Sequence, residues 1–131
     1  MESREDRTPG LPRNPHIEQL DVVREESRPD YVRISKIIKA EDLNTLGLAH
    51  GGLAFSLADE ACGTVLDVRG IPSVTLNADY HFLRSAKVGD RLIAEAWETE
   101  PGAPICVMRA SVTDQNGTML GTGTFTLCML R

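Results

Sequence analysis

Four runs late in the chain, 72–83, 90–100, 104–114 and 118–130, alternate apolar with polar side chains or are rich in β-branched residues. A period of two marks half-buried strands. The segments "KVGD", "PGAP" and "QNG" between them carry turn chemistry suited to short antiparallel connections. The pattern predicts four strands joined as a meander. An earlier strand is predicted from "YVRISKIIKA", where Val32, Ile34 and the Ile37–Ile38 pair alternate with Arg33, Ser35, Lys36 and Lys39. Between this strand and the meander the period changes. Leu53, Ala54, Leu57, Ala58, Ala61, Val65 and Val68 share one face at about 100° per residue, which predicts one long helix packed on a sheet. From His16 to about Ser27, Ile17, Leu20 and Val23 recur at roughly helical spacing, so a short amphipathic helix is expected there. With no βαβ alternation and no internal repeat, the class is α+β with an antiparallel sheet.

The rest of the long helix is unusual. Ser56, Glu60 and Asp67 form a polar arc expected to be solvated. Asp59 instead falls with Phe55, Leu66, Gly52 and Gly63, on a second strip of apolar and very small residues. Two glycines cost a helix about 1 kcal/mol each relative to alanine, so something is expected to approach that strip closely. A partner subunit is the economical reading.

Composition narrows the classes. A chain of 131 residues fits one domain, here residues 16–131, after an arm over 1–15 whose prolines and charges predict flexibility. A net charge of −5 argues against nucleic-acid binding through the general surface. No apolar run approaches the ~20 residues needed to span a bilayer, and the N-terminus has no apolar signal region. A cytoplasmic location is expected. Cys62, Cys106 and Cys128 lack any C-x-x-C spacing and read as small buried hydrophobes.

The chemistry concentrates in "NTLGLAHGGLAFSLADEACG", residues 44–63. It holds an amide (Asn44), an imidazole (His50), the Gly51–Gly52 pair at a helix start, and a carboxylate (Asp59) in a partly apolar setting. First-turn amides of a helix have no intrahelical acceptor and can polarise a carbonyl. A carboxylate nearby can act as nucleophile or as general base on water. Taken singly, each residue also has an ordinary role in a turn, a cap or a helix surface. Downstream, Arg84, Lys87 and Arg91 form the best local basic cluster. It reads either as solvated loop charge or as a phosphate contact. Asp79 and His81 read as an exposed pair.

The pattern Asn44, His50-Gly51-Gly52, Ser56-Leu57-Ala58-Asp59, followed by "VTLNADYHFLRSAKVGDRLIAEAWE", resembles the hotdog-fold acyl-CoA thioesterases of the phenylacetic-acid-degradation (PaaI-like) type. The likeness spans about residues 28–130. It implies a curved antiparallel sheet of five to six strands wrapped around one central helix. It also implies homodimers assembling into homotetramers, with active sites at subunit interfaces. By the same resemblance Asp59 is nucleophile or general base, Gly51 N–H polarises the thioester carbonyl, and Asn44 and His50 come from the subunit facing Asp59. Thr75 helps position the nucleophile, while Gly52, Leu83, Arg84 and Lys87 border the acyl-CoA. No metal and no cofactor is implied. The alternative on the same fold is a non-catalytic acyl-CoA-binding or sensing protein.

Overall fold

The computed structural model describes residues 14–130. The flexible arm expected over 1–15 lies outside them, apart from Asn14 and Pro15. Asn14 caps α1 (Pro15–Glu18), its Oδ1 accepting from Ile17 N at 3.4 Å. The helix expected to continue to Ser27 ends there. Asp21 turns the chain through a positive φ of 55°, and β1 (Val23–Arg28) then pairs antiparallel with β2 (Tyr31–Ile37). An isolated helix of ~12 residues is marginal, whereas β1 gains a ladder and ion pairs that include Arg33 to Glu25 (3.0 Å) and to Glu26 (3.4 Å). Ile17 and Leu20 still fold onto the core; Val23 does not and is 48% exposed.

The other strands are β3 (Ser73–Phe82), β4 (Arg91–Glu100), β5 (Ile105–Thr113) and β6 (Met119–Met129). All six form one antiparallel sheet in the order β1-β2-β4-β5-β6-β3. The expected meander therefore holds for β4 to β6 only. After β3 the chain crosses over, because "KVGD" forms a turn closed by Asp90 N to Lys87 O (3.0 Å) that re-aims the chain beside β2. About eight extended residues easily span three interstrand spacings of about 5 Å.

The central helix α2 (Gly51–Val68) touches all six strands, so the sheet curves around it. Leu53, Leu57, Ala58, Ala61 and Val65 are buried as their periodicity predicts, with Ala54 and Val68 half-buried. Because the sheet wraps rather than underlies the helix, Cys62 and Leu66 are fully enclosed too. Phe55 is also taken inward, its ring 5.9 Å from that of Tyr80 and 5.6 Å from that of Phe125. The second strip thus shrinks to Gly52, Asp59 and Gly63.

A register shift between Thr75 and Asn77 bulges β3 against β6. In a regular strand Thr75 and Ala78 would point to opposite faces. With the extra residue, Thr75 meets Asp59 of α2 while Ala78 and Tyr80 still pack on the core. Tyr80 lies over glycines of β6: Gly123 is its register partner, and a Cβ at Gly121 would lie 2.1 Å from its hydroxyl oxygen. Burial pushes the Tyr80 phenol up to about 12, and its hydroxyl has no hydrogen-bond partner among the described residues. Beyond β3 the sheet has an edge, where Val74, Leu76 and Phe82 are 47, 58 and 61% exposed. Among the described residues no helix is long and apolar enough to cross a membrane.

Candidate active site

His50 is the N-cap of α2. Its Nδ1 accepts from Gly52 N at 2.8 Å, which places the proton of the neutral ring on Nε2 as an available donor. Leu53 N bonds to the His50 carbonyl at 3.0 Å. Of these first-turn amides, that of Gly51 is left without an acceptor among the described residues. Gly51 and His50 border a cavity of about 290 Å³ with Phe82, Leu83, Arg84 and Leu120. Phe82 lies so close that a Cβ on Gly51 would sit 3.1 Å from its ring. A carbonyl oxygen entering here would meet the helix N-terminus, and Arg84 would supply positive charge at the rim.

Asp59 lies elsewhere. Thr75 donates its hydroxyl to Asp59 Oδ1 at 2.6 Å, and both line a separate cavity of about 280 Å³ with Gly63, Ser73 and Leu127. Eight residues of helix separate Gly51 from Asp59, about 12 Å along the axis. Among the described residues a Cβ on Gly63 would meet nothing within 4 Å.

The remaining expected site residues are dispersed. Asn44 uses its Oδ1 to accept from Leu46 N (2.9 Å) and Leu48 N (3.1 Å), ordering its own turn. Lys87 is exposed and reaches Asp90 at 3.3 Å. Arg91 pairs with Glu25 of β1. Asp79 and His81 form an exposed pair at 3.3 Å within β3. Glu60 corrects the expectation of a solvated arc. Asn14 Nδ2 donates to it at 2.7 Å and Thr64 Oγ1 at 3.2 Å, with Arg24 3.9 Å away. Burial drives its carboxyl up to about 7, opposed by the Thr64 bond and by Arg24. The helical wheel could not show this, because the groups covering Glu60 come from α1 and β1. Burial likewise pushes the Cys62 thiol up, reinforced by the Asp59 charge, so it is a poor nucleophile. Nothing in the sequence singles out Phe82 from the other aromatic residues as lining the site, although it opens "FLRSAK". Among the described residues no three His, Cys, Asp or Glu side chains are grouped to hold a metal.

The Thioesterase superfamily profile matches residues 46–120, from the turn before His50 through β6's first residues. The chain belongs to this superfamily: it is a hotdog-fold thioesterase of PaaI-like type. A provisional esterase of Deinococcus radiodurans is 34% identical over 108 residues, covering 81% of this chain and 72% of that protein. A hypothetical thioesterase of Streptococcus pneumoniae, solved with coenzyme A, is 30% identical with a TM-score of 0.80, covering 83% of this chain and 88% of that one. Variants of that streptococcal protein replace an aspartate and, separately, a threonine sixteen residues further on by alanine. The Escherichia coli PaaI protein of the phenylacetic acid degradation operon shares the fold at a TM-score of 0.86 and 22% identity, over 90% of this chain and 86% of that one.

Proposed function

We propose that the chain hydrolyses acyl-CoA thioesters to the free acid and coenzyme A, at sites each built from two copies. The observation that carries this is the separation of the two half-sites on α2. A thioester carbonyl must lie about 3 Å from both its oxyanion donor and its attacking group, but Gly51 and Asp59 of one chain are about four times that far apart. A facing copy brings them together. The exposed apolar edge of β3 supports that pairing, because an unpaired edge of ten residues is a template for another strand. We extend this to a homodimer that assembles into a homotetramer, working in the cytoplasm, where three free thiols are at home.

In this reading the carbonyl oxygen binds Gly51 N–H, with His50 Nε2–H beside it. Gly52 closes the cap, and Asn44 shapes the turn that delivers His50. Asp59 of the facing copy attacks the carbonyl carbon to give an anhydride that water then cleaves to the free acid, or it deprotonates the attacking water. Thr75 holds one carboxylate oxygen and so aims the other. Its separation from Asp59 equals that of the pair altered in the streptococcal protein, which supports the assignment. The sulfur leaves as the coenzyme A thiolate, with Leu83 along its arm and Arg84 and Lys87 near its phosphates.

The test is thiol release from a panel of acyl-CoAs. Turnover by wild type and its loss by about a hundredfold or more in Asp59→Asn is the expected result. Binding of acyl-CoA without thiol release would instead favour a sensor on the same fold.

A further inference from the structure

Lys36 and Asp42 are both buried, with side chains 3 and 7% exposed, and their charges meet at 3.1 Å. Neither belongs to the chemistry described above. We propose that this pair is a positioning element that holds His50 and Gly51 in register with the substrate carbonyl, an inference that rests on the thioesterase reading.

The connections run through Asp42. Lys36 projects from β2, within the rigid sheet, where it pairs in register with Leu92 of β4. Asp42 ends a 3-10 turn, Ala40–Asp42, and its Oδ2 accepts both from Lys36 Nζ and from Lys39 N (2.9 Å). Its backbone carbonyl accepts from His50 N at 2.8 Å. One residue therefore ties the sheet to the N-cap of α2. The segment between closes on itself through a bridge from Leu43 to Ala49 and through Asn44 N to Leu48 O at 2.7 Å. Asp42 and His50 also face one cavity of about 220 Å³. Stability gives little reason for such a pair. Desolvating two charges offsets most of their attraction, and an apolar pair of similar volume is often as stable. What charge supplies and apolar contact does not is direction: Asp42 is fixed in orientation, and with it the carbonyl that locates His50. An error of about 1 Å in a positioning group is enough to cost orders of magnitude in rate.

The test compares Lys36→Met, Lys36→Arg and the doubly apolar Lys36→Met/Asp42→Leu, the last because the single apolar change strands a buried carboxylate. Two readouts are taken: kcat and KM for an acyl-CoA, and hydrogen exchange of residues 42–53. The expected result is faster exchange confined to that segment in both Met variants. Their kcat falls about tenfold with KM within about twofold, and Lys36→Arg retains most of the kcat. Wild-type kcat in the double variant overturns the proposal, as does unchanged exchange at 42–53. If wild type releases no thiol, the thioesterase reading fails, while the exchange measurement still decides whether the pair anchors the segment.

Discussion

Thr75, on a bulged edge strand, donates its hydroxyl to Asp59 on the central helix at 2.6 Å. One oxygen of the carboxylate is thereby engaged and the side chain is held in a single direction. Thr75→Ala should lower kcat by about tenfold with little change in melting temperature, because a hydrogen bond at an exposed site contributes only about 1 kcal/mol to folding. Thr75→Ser should keep most of the rate. Equal losses in Ala and Ser variants would show that the methyl group, and not the hydroxyl, is what matters.

Glu60, next to Asp59, gives a pH signature. Its carboxyl is raised by burial from 4.5 to about 7, so the folded chain favours the protonated form. That contribution to stability is complete below pH 4.5 and is lost as the pH rises through about 7. A shift of this size amounts to roughly 3 kcal/mol. Glu60→Gln keeps one acceptor oxygen, for Asn14 Nδ2, and can turn its amide N–H to Thr64 Oγ1, but it cannot ionise. Melting curves from pH 4.5 to 8 should show wild type losing stability and the variant much less, with the variant several degrees higher at pH 8. Parallel curves would mean that Glu60 is solvated after all.

The sheet, the long helix and its core face were legible because they rest on local periodicity, and Asp59, His50 and Gly51 because they stand in a contiguous pattern. What the sequence hid depends on contacts between distant segments. The β1 strand looked helical since Ile17, Leu20 and Val23 have the right spacing, and only pairing with β2 decides against it. The β3 bulge is what turns Thr75 toward Asp59, and no residue near it announces a bulge. Glu60 is covered by Asn14 and Arg24, 46 and 36 positions away, which no helical wheel can contain.

Gly63 separates folding from function. A methyl group there meets nothing within 4 Å among the described residues, and alanine favours a helix by about 1 kcal/mol over glycine. Gly63→Ala should therefore raise the melting temperature by a few degrees. If a thioester or a facing subunit occupies that space, the same change lowers kcat/KM or weakens association, measured by light scattering. Gains in stability with unaltered kinetics and mass would leave the glycine without a role in the site.

The strongest prediction uses two inactive variants. Gly51 is the first residue of α2, where proline is well tolerated. His50 before it already has the extended backbone, φ −64° and ψ 136°, that a following proline demands. Gly51→Pro therefore deletes one N–H while leaving the helix in place; the exposed Phe82 ring, 3.1 Å from the new Cβ, has room to shift. It should fold and lose activity by about a hundredfold. Asp59→Asn should be at least as inactive. In a symmetric dimer each site takes Gly51 from one copy and Asp59 from the other, so a mixed dimer has one site with both lesions and one with neither. Co-refolding equal amounts should return about a quarter of wild-type activity, since half the dimers are mixed and each has one intact site of two. If each chain carried a complete site, every site in the mixture would retain a lesion, and no activity would return.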